Sequence, residues 1–550
     1  MKMSALQLMR AAYKPQISKA LEGAVRVEEE TALTSADDQE TIKKLFPCTY
    51  GMPLVKFVPA EKMDHPKFNV GVILSGGQAP GGHNVICGLF DEIKRINPEN
   101  RMYGFLMGPE GLIEHNYKEL TKDIIDQYRN TGGFDMIGSG RTKLETEEQF
   151  RKGADIMHQL GIKALVIIGG DDSNTNAAFL AEYYKAHHDD IQVIGVPKTI
   201  DGDMKSDIIE ASFGFDTATK TYSEVIGNVE RDCDSARKYW HFIKLMGRSA
   251  SHIALECALE TRPNICIISE EIKEKDYDLN DIVNMIARVV VMRAKEGMNY
   301  GVVLVPEGLI EFIPAIGRLI GELNELLAAH ADEYRDLPLK QQRKYILEHL
   351  SPKNKATYET LPDNVARQLA MDRDPHGNVQ VSLIETEQLL SHMVAAKLAK
   401  MKEEGKYNGK FAAQHHFFGY EGRCAFPSNY DANYCYALGI SAAHLIMNGK
   451  TGYMTYVRNT WKAPSEWEAG GVPLVSMMNI ERRNGEDNAV IKKKLVDLNG
   501  KPFKYFASRR ARWAHDTAYI YPGPLQYLGP SELCDRCTLT LKLEHDVPIQ

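Results

Sequence analysis

The sequence lacks the features that mark secreted, membrane-spanning and nucleic-acid-binding proteins. Its nine cysteines are scattered along 550 residues without framework spacing, and an odd number of them is typical of a reducing compartment. The stretch Met1–Gln16 is interrupted by charged residues, which argues against a signal peptide or a membrane span. The net charge of -8 and the lack of a clustered basic stripe argue against a nucleic-acid surface. We therefore expect a soluble, cytoplasmic protein.

A second group of signatures is also missing. Cys534 and Cys537 have CxxC spacing, but a structural zinc site of this type needs a second pair, so we do not expect a zinc ion there. We find no internal repeat of fixed period and no low-complexity run. At 61.8 kDa the chain is long enough for several domains or for one elaborated fold.

The most informative stretch is GGDDS, at Gly169–Ser173. It follows the apolar run Ala164–Ile168 and precedes a helix-like segment that begins near Asn174. A strand that turns through two glycines into a helix presents backbone N–H groups to a small anion. Two consecutive carboxylates would repel such an anion unless a divalent cation lay between them. The motif indicates a metal–polyphosphate site, and the alternative is a solvated turn in which one aspartate caps the helix.

Two other strand-like runs lead into polar loops. Val70–Leu74 precedes SGGQAPGGHN at residues 75–84 and an amphipathic segment, Val85–Lys94, whereas Gln192–Val196 precedes PKTIDGD at residues 197–203. The GGDDS and SGGQAPGGHN loops are neither Walker A sequences nor dinucleotide-binding GxGxxG motifs. In PKTIDGD, a lysine, a hydroxyl and two acids lie at the carboxyl end of a strand, where open α/β sheets bind ligands.

Five motifs together resemble the phosphofructokinase family. They are SGGQAPGG, GGDDS, PKTIDGD, Met246-Gly247-Arg248 and Pro306-Glu307-Gly308, and the resemblance runs from about residue 70 to about residue 458. The lysine of PKTIDGD and the second aspartate of GGDDS resemble the long, pyrophosphate-dependent branch of that family. The resemblance implies two Rossmann-like, doubly wound α/β domains with a helical insertion and an N-terminal extension.

The resemblance also implies an activity. It is the reversible, Mg²⁺-dependent transfer of a phosphoryl group from pyrophosphate to O1 of fructose 6-phosphate, giving fructose 1,6-bisphosphate and phosphate. The alternatives are an ATP-dependent phosphofructokinase and a non-catalytic regulatory subunit on the same fold.

The predicted domain organisation has five parts. Strand-like and helix-like segments alternate from Val70 to Glu307, whereas the stretch after it is rich in Leu, Ala, Glu and Lys at helical spacing. We predict an N-terminal extension at 1–68, a donor-phosphate domain at 69–250, a sugar-phosphate domain at 251–308 and 406–460, a helical insertion at 309–405, and a C-terminal segment packed on the body at 461–550.

The resemblance assigns roles to four residues of the acidic loops. Asp201 matches the proton acceptor for the sugar hydroxyl, and Asp171 matches the magnesium-site aspartate. Asp203 is a second carboxylate that could hold the metal through water, and Thr199 could hydrogen-bond the moving phosphoryl group. If the other motifs were absent, each acid could instead be a turn residue whose side chain accepts hydrogen bonds from nearby backbone N–H groups.

Two residues, Lys198 and Asp172, are predicted to decide whether pyrophosphate or ATP is the phosphate donor. Lys198 is expected to stabilise the transferring phosphoryl group, although most lysines are simply solvated. Asp172 is expected to occupy the space of a nucleotide α-phosphate and to repel it, because both positions are generally glycine in the ATP-using relatives. The other donor-binding predictions are Gly76, Gly77, Gly82, Gly170, Ser173 and Arg141.

Another set of motif residues is predicted to bind the sugar phosphate. Arg248 is expected to reach the sugar or its phosphate and to take part in catalysis, and Glu307 to accept hydrogen bonds from sugar hydroxyls. Tyr420 and Arg423 are expected to hold the 6-phosphate, since a guanidinium fork matches phosphate oxygens; the alternative for Arg423 is a surface ion pair. The remaining substrate-binding predictions are Ile200, Met246, Gly247, Glu421 and Gly422.

Lys238 and Tyr239 precede the Met246-Gly247-Arg248 motif. The resemblance implies that this segment reaches across a subunit interface into the neighbouring site. Tyr239 stands where ATP-using relatives have an arginine, and Lys238 could supply the missing charge. We therefore predict a homodimer with shared sites.

Overall fold

A computed structural model describes residues 4–61, 65–330, 333–334, 337–371, 383–483 and 486–549. Its strands alternate with helices through most of the chain, as the sequence predicts. The strands are β1 (Val25–Ala32), β2 (Pro53–Pro59), β3 (Asn69–Leu74), β4 (Arg101–Phe105), β5 (Tyr117–Glu119), β6 (Ile162–Gly169), β7 (Gln192–Pro197), β8 (Trp240–Leu245), β9 (Ile265–Cys266), β10 (Gly301–Pro306), β11 (Ala413–Phe418), β12 (Tyr453–Arg458), β13 (Glu468–Pro473), β14 (Met478–Arg483) and β15 (Glu486–Ile491).

Helices cover much of the remaining described chain. The α-helices are Ala5–Ala11, Gln39–Leu45, Gly82–Ile96, Pro109–Ile113, Lys122–Tyr128, Glu147–Gln159, Asp171–Ala186, Phe215–Ala236, His252–Thr261, Ser269–Glu274, Leu279–Lys295, Leu309–Phe312, Pro314–Ala329, Leu339–His349, Pro352–Thr360, Asp363–Leu369, Thr386–Glu403, Tyr420–Arg423, Asn429–Met447, Lys501–His515, Ser531–Cys534 and Leu539–Glu544. Short 3₁₀ helices span Lys19–Leu21, Pro464–Glu466 and Leu474–Met477. No described helix combines the length and apolar character needed to cross a membrane.

The larger sheet has nine strands in the order β1-β2-β13-β12-β7-β6-β3-β4-β5. Its five central strands, from β12 to β4, are parallel, and antiparallel strands flank them on both sides. β3, β6 and β7 consist almost entirely of buried residues, because helices cover parallel sheets on both faces. This pattern explains the continuous apolar runs that predict these strands.

The smaller sheet has four parallel strands in the order β11-β8-β10-β9. One core joins it to the helices between β10 and β11, with Trp240 and Val303 packed in the same cluster as Leu390 and Val394. In the described part of 309–405 the chain forms helices and no strand. Residues 331–332, 335–336 and 372–382 of the predicted insertion lie outside the described residues. The predicted doubly wound α/β fold is confirmed.

Two strands lie in a different sheet from the one implied by the predicted domain boundaries. The boundaries place β8 in the first domain and β12 in the second, but β8 pairs with β10 and β11, whereas β12 pairs with β7 and β13. The physical reason is that the chain passes from one sheet to the other more than once. A division into a few continuous stretches of sequence therefore assigns some strands to the wrong sheet. These strand assignments are wrong, and the domain division otherwise stays a prediction.

Both flanking segments contribute to the larger sheet. β1 and β2 come from the N-terminal extension, and β13 from the C-terminal segment lies between β2 and β12. β14 and β15 form a separate antiparallel hairpin. Residues distant in sequence therefore surround the carboxyl ends of the central strands.

Candidate active site

The carboxyl ends of strands from both sheets open into one cavity of about 700 Å³. β3, β6 and β7 contribute from the larger sheet, and β8, β10 and β11 from the smaller one. Parallel strands gather their loops at one edge, which explains why motifs far apart in sequence meet here. The predicted residues in the wall are Gly76, Gly77, Arg141, Gly170, Asp171, Asp172, Ser173, Lys198, Thr199, Ile200, Asp201, Asp203, Met246, Arg248, Glu307, Tyr420 and Arg423.

The loop after β3 brings its backbone close to cationic side chains. Gly76 has a φ of +83°, which favours glycine, and its amide donates to the Gly140 carbonyl over 2.9 Å. A Cβ at Gly77 would lie only 2.2 Å from Nη1 of Arg423. The backbone conformation therefore favours glycine at Gly76, a side chain at Gly77 would displace the Arg423 guanidinium, and the loop presents main chain to the cavity.

The loop after β6 forms the N-terminus of the helix Asp171–Ala186. Gly170 is the residue before the first turn, and Asp171 and Asp172 both lie within that turn. Negative charges are favoured at this end of a helix. Burial alone would raise the pKa of Asp171, but the charges of Lys493, Arg483 and Arg248 lower it below its ordinary value. Asp171 is therefore a carboxylate at neutral pH.

Lys198 follows β7 and is 6% exposed. Its amide donates to the Gly169 carbonyl over 3.0 Å, and its Nζ would lie 3.3 Å from a Cβ at Gly76. Burial and the nearby Arg423 charge lower the pKa of Lys198 to about 8. The side chain thus carries a positive charge at neutral pH between the two glycine-rich loops.

Asp201 lies in a tight turn three residues after Lys198. Its amide donates to Thr199 Oγ1 over 3.1 Å, and within the described residues its Oδ1 is buried without a hydrogen-bond partner. Asp203 is buried nearby, and burial together with the charge of Asp201 raises the pKa of Asp203 to about 7. An excess of negative charge is therefore concentrated beside a carboxylate oxygen that lacks a donor.

Glu307 follows β10 and is 3% exposed. Its Oε1 accepts a hydrogen bond of 3.3 Å from the Gly247 amide, whereas Oε2 has no partner in the described chain. Burial and the charge of Asp201 raise the pKa of Glu307 to about 7. Gly247 thus contacts Glu307 through its main chain, and one buried carboxylate oxygen of Glu307 is left without a partner among the described residues.

Arg423 and Tyr420 belong to the short helix after β11. Nε of Arg423 lies 3.1 Å from the Met246 sulfur, and its guanidinium lies 5.9 Å from the Tyr420 ring centre. Tyr420 is 68% exposed at the mouth of the cavity. Arg423 spans from the smaller sheet to Gly77 on the larger one, so both halves of the cavity meet at this side chain.

Gly247 is not part of the cavity wall and bonds to Glu307 through its amide, and three more predicted binding residues, Gly82, Glu421 and Gly422, also lie outside the wall. A Cβ at Gly82 would lie 2.3 Å from the Phe134 ring, and one at Gly422 would lie 2.5 Å from the Tyr222 ring. Glu421 is exposed and is also absent from the cavity wall. The predictions for these residues are corrected: the two glycines allow close helix packing, and the Glu421 side chain faces solvent.

Lys238 and Tyr239 lie at the opposite end of β8 from Met246. Six strand residues separate the two ends, a distance of about 20 Å. The Lys238 ammonium lies 5.3 Å from the Tyr239 ring centre. These two residues do not line the cavity of their own chain, so their predicted contribution can only be made to another subunit.

Two cationic side chains of the C-terminal segment, Arg483 and Lys493, contact the acids of this site and were not predicted from the sequence. Nη1 of Arg483 lies 2.6 Å from Oδ1 of Asp172, and Nζ of Lys493 lies 3.3 Å from Oδ2 of Asp171. Lys493 lines the cavity together with Ser249, whose Oγ accepts its hydrogen bond over 2.9 Å. Two adjacent, partly buried acids do require counter-charges, but nothing in the sequence indicates which basic residues supply them.

The acids of the cavity could hold a divalent cation. Asp171 is a carboxylate, Asp203 is buried beside it, and Asp201 has an oxygen without a donor among the described residues. Carboxylate oxygens are the ligands that Mg²⁺ prefers, and a cation would relieve the repulsion that raises the pKa of Asp203. The chemistry of these oxygens suits the predicted metal, but they do not form one compact set: among the described residues, the three side chains whose ligand atoms lie within 4.8 Å of one another are His158, Asp189 and Asp190, outside the cavity.

Comparison with known proteins decides the family. A sequence model described as phosphofructokinase matches residues 69–446. The chain belongs to the phosphofructokinase family. The predicted membership is thereby confirmed, and the matched region spans both sheets up to the helix Asn429–Met447, ending before β12–β15.

The curated relatives cover nearly the whole chain. The pyrophosphate--fructose 6-phosphate 1-phosphotransferase of Porphyromonas gingivalis is 61% identical over 98% of this chain and 99% of its own. The enzyme of the same name from Treponema pallidum is 52% identical over 100% of this chain and 98% of its own. The crystal structure of a pyrophosphate-dependent phosphofructokinase from Marinobacter aquaeolei has a TM-score of 0.53 with 16% identity, over 82% of this chain and 93% of that chain, and this likeness shows the fold.

Proposed function

We propose that this phosphofructokinase transfers a phosphoryl group from pyrophosphate to O1 of fructose 6-phosphate. The products are fructose 1,6-bisphosphate and phosphate, and the reaction runs in both directions. The observation that carries the proposal is the placement of Lys198, Asp172 and Asp201 in one cavity, in a chain 61% identical to an enzyme named for this reaction.

Asp201 acts as the general base. Its Oδ1 takes the proton of the sugar O1 as the new oxygen–phosphorus bond forms, and the bond from that phosphorus to the bridging oxygen of pyrophosphate breaks. The leaving phosphate keeps the bridging oxygen and its electron pair. In the reverse direction, the protonated Asp201 returns its proton to O1.

The donor is held by positive charge and by main-chain donors. The Lys198 ammonium lies between the loops after β3 and β6, and a fixed cation there stabilises charge on the transferring group. Asp171 and Asp203 would hold Mg²⁺, and a bound cation would neutralise negative charge on the donor. Asp172 adds a negative charge on the side where a nucleotide would extend, and this disfavours ATP.

The sugar phosphate binds on the side of the smaller sheet. Arg423 supports the 6-phosphate with its guanidinium fork, and Arg248 supplies a second positive charge. Oε2 of Glu307, which has no donor or acceptor partner in the described chain, pairs with a sugar hydroxyl. A sugar phosphate held by these residues would present O1 to Asp201, which lines the same cavity.

A donor comparison tests the function. Purified protein is assayed with fructose 6-phosphate and Mg²⁺, with either pyrophosphate or ATP as the donor. We expect turnover with pyrophosphate and little with ATP. Turnover with ATP alone would instead support an ATP-dependent enzyme, and no turnover with either donor would support a regulatory subunit.

We further propose a homodimer in which Lys238 and Tyr239 complete the partner's site. Their distance from the cavity of their own chain supports this arrangement. Complementation tests it: Lys238→Ala subunits are unfolded, mixed with an equal amount of Asp201→Asn subunits and refolded together. Half of the random dimers then contain one intact site, so roughly a quarter of the wild-type activity should return. No recovery in mixed dimers would contradict shared sites.

A further inference from the structure

The β14–β15 hairpin lies against the acidic end of the cavity. The main chain fixes it there, because the Ile491 amide donates to Thr175 Oγ1 over 3.1 Å and the Lys494 amide donates to the Asp203 carbonyl over 2.7 Å. Thr175 belongs to the helix that starts at Asp171. The hairpin and the segment after it are therefore held in register with the donor loops, although they lie outside the matched family region.

Lys493 is the cation of this segment that lines the cavity. Its side chain is 17% exposed, its Nζ lies 3.3 Å from Asp171 Oδ2, and it donates to Ser249 Oγ. An ammonium group has three N–H donors, so two neighbours leave one for an oxygen of a bound phosphate.

The Arg483 side chain is slightly less exposed than the Lys493 side chain and has more acidic partners. The Arg483 side chain is 13% exposed and its partner Asp172 is 12% exposed. The guanidinium also binds Glu481 Oε2 over 3.0 Å and lies 3.9 Å from Asp171 Oδ2. A fork with several fixed acceptors orients Asp172 more strictly than a single contact would.

Charge balance connects these contacts with the donor. Asp171, Asp172 and Asp203 would together repel an anionic phosphate compound. Arg483 and Lys493 offset that repulsion at Asp172 and Asp171, and Lys198, whose Nζ lies near Gly76 and Gly170, is another cation of the same cavity. A donor bound at the glycine-rich loops therefore meets positive charge from the C-terminal segment as well as from Lys198.

We propose that Lys493 binds the phosphate donor directly and that Arg483 is a positioning residue that acts through Asp172. This inference rests on the proposed function, because it assigns the hairpin to the donor half of the same site. It makes the C-terminal segment part of the active site.

Two adjacent lysines allow a matched test of Lys493. Lys492 pairs with Asp37 at the surface and is 48% exposed, so Lys492→Met is the control for Lys493→Met. We expect Lys493→Met to raise KM for pyrophosphate, and for phosphate in the reverse direction, by about tenfold or more, the effect of one charge-assisted hydrogen bond. KM for fructose 6-phosphate should change less than about twofold, and Lys493→Arg should restore part of the loss.

Calorimetry with imidodiphosphate, a pyrophosphate analogue with a nitrogen bridge, measures donor binding without turnover. Lys493→Met should weaken this binding by a similar factor, and Lys492→Met should not. Unchanged donor binding at unchanged Tm would overturn the role of Lys493, as would an equal rise in KM for both substrates. If Lys493→Met does not fold, Lys493→Gln is measured in the same way.

The Arg483 test uses its exposed neighbour Arg482 and a double-variant cycle. Arg483→Gln should change KM for pyrophosphate, whereas Arg482→Gln should not, because Arg482 makes surface ion pairs with Glu325 and Asp487. If Arg483 acts through Asp172, Arg483→Gln should have little further effect in an Asp172→Asn background. Additive effects would show that Arg483 acts independently and would overturn its positioning role.

The same experiments separate this inference from the proposed function. Wild-type protein that uses ATP and not pyrophosphate would disprove the proposed function, and KM for ATP in the Lys493 variants would then decide the inference. Wild-type protein that uses pyrophosphate, with Lys493→Met unchanged in donor KM, would retain the function and disprove the inference.

Discussion

The Ser173 hydroxyl donates a hydrogen bond of 2.8 Å to the Ser75 hydroxyl, and this bond joins the ends of two neighbouring parallel strands. Ser75 follows β3, and Ser173 lies in the first turn of the helix after β6. The Ser75 amide also donates to the Ile168 carbonyl over 2.9 Å. The two glycine-rich loops are therefore fixed to each other, and a side chain exchanged beside them should change ligand binding more than loop shape.

Asp201→Asn should remove the base and keep the shape of the side chain. We expect kcat to fall by roughly 10²–10⁴ in both directions, with a much smaller change in KM, because the proton transfer occurs in the transition state. Steady-state kinetics measures both parameters, and Asp207→Asn, an exposed acid of the same loop, is the control. A near wild-type kcat in Asp201→Asn would assign the base elsewhere.

Arg423→Lys keeps the positive charge and loses the guanidinium fork. Since the fork is proposed to hold the 6-phosphate, KM for fructose 6-phosphate should rise by about tenfold, and KM for pyrophosphate should rise less. Initial rates with each substrate varied in turn provide the comparison. A rise confined to pyrophosphate would move Arg423 to the donor side, which its proximity to Gly77 makes the specific alternative.

Asp172→Gly should remove the charge that disfavours a nucleotide. ATP activity should then rise from near zero, and the Arg483 guanidinium, without its partner at 2.6 Å, becomes available to the nucleotide phosphates. The measurement is kcat/KM for each donor. If the variant still does not use ATP and its kinetics with pyrophosphate are unchanged, Asp172 has only a structural role at the start of the helix.

Lys198→Gly should lower turnover with pyrophosphate, the donor that the wild-type enzyme is proposed to use. Loss of the buried cation should lower kcat with pyrophosphate by about 10²-fold, or about 2.7 kcal/mol of transition-state stabilisation. The double variant Asp172→Gly/Lys198→Gly should prefer ATP, although weakly. Steady-state kinetics with both donors tests this, and an unchanged kcat with pyrophosphate in Lys198→Gly would show that its charge does not act on the transferring group.

His83 should make stability depend on pH. The buried ring accepts a hydrogen bond from the Met136 amide and lies 2.8 Å from Thr131 Oγ1, and burial lowers the pKa of His83 to about 3. The unfolded chain therefore binds a proton below about pH 6.5 that the folded chain does not, so stability falls as pH falls from 6.5 towards 3, by up to about 1.4 kcal/mol per pH unit.

Scanning calorimetry at pH 7.5 and 5.5 measures this effect. The loss of Tm between the two values should be smaller in His83→Gln than in wild type, because glutamine does not titrate. An equal loss in both proteins would show that the neutral state of His83 does not contribute.

The central strands and the donor loops were predictable because their signals are local. The apolar run Ala164–Ile168 lies inside β6, and GGDDS follows it; the helix predicted to begin near Asn174 begins three residues earlier, at Asp171. Buried parallel strands must be apolar on both faces, and their polar loops must lie at one edge. Most predicted site residues therefore line the cavity, because each motif follows a parallel strand and these strands end at the same edge of a sheet.

The remaining contacts were not predictable because they depend on long-range placement. Arg483 and Asp172 are 311 residues apart, and the exposed Arg482 beside it is chemically identical. The pairing of β14 with β15, together with the bonds from the Ile491 and Lys494 amides to Thr175 and Asp203, decides which arginine contacts Asp172. Gly82 and Gly422 were misassigned for a related reason, since a glycine required by helix packing looks the same in sequence as one that binds an anion.

The strand order has a consequence for synthesis of the chain on the ribosome. β1 and β2 join the larger sheet only through β13, which is translated about 400 residues after β2. At usual elongation rates the first hairpin waits for roughly 20–80 seconds before its neighbour emerges. Polypeptides released before Glu468 would carry an unpaired strand edge, and such edges recruit other chains. Premature termination before Glu468, which removes more than about the last 80 residues, should therefore yield aggregated rather than merely inactive protein.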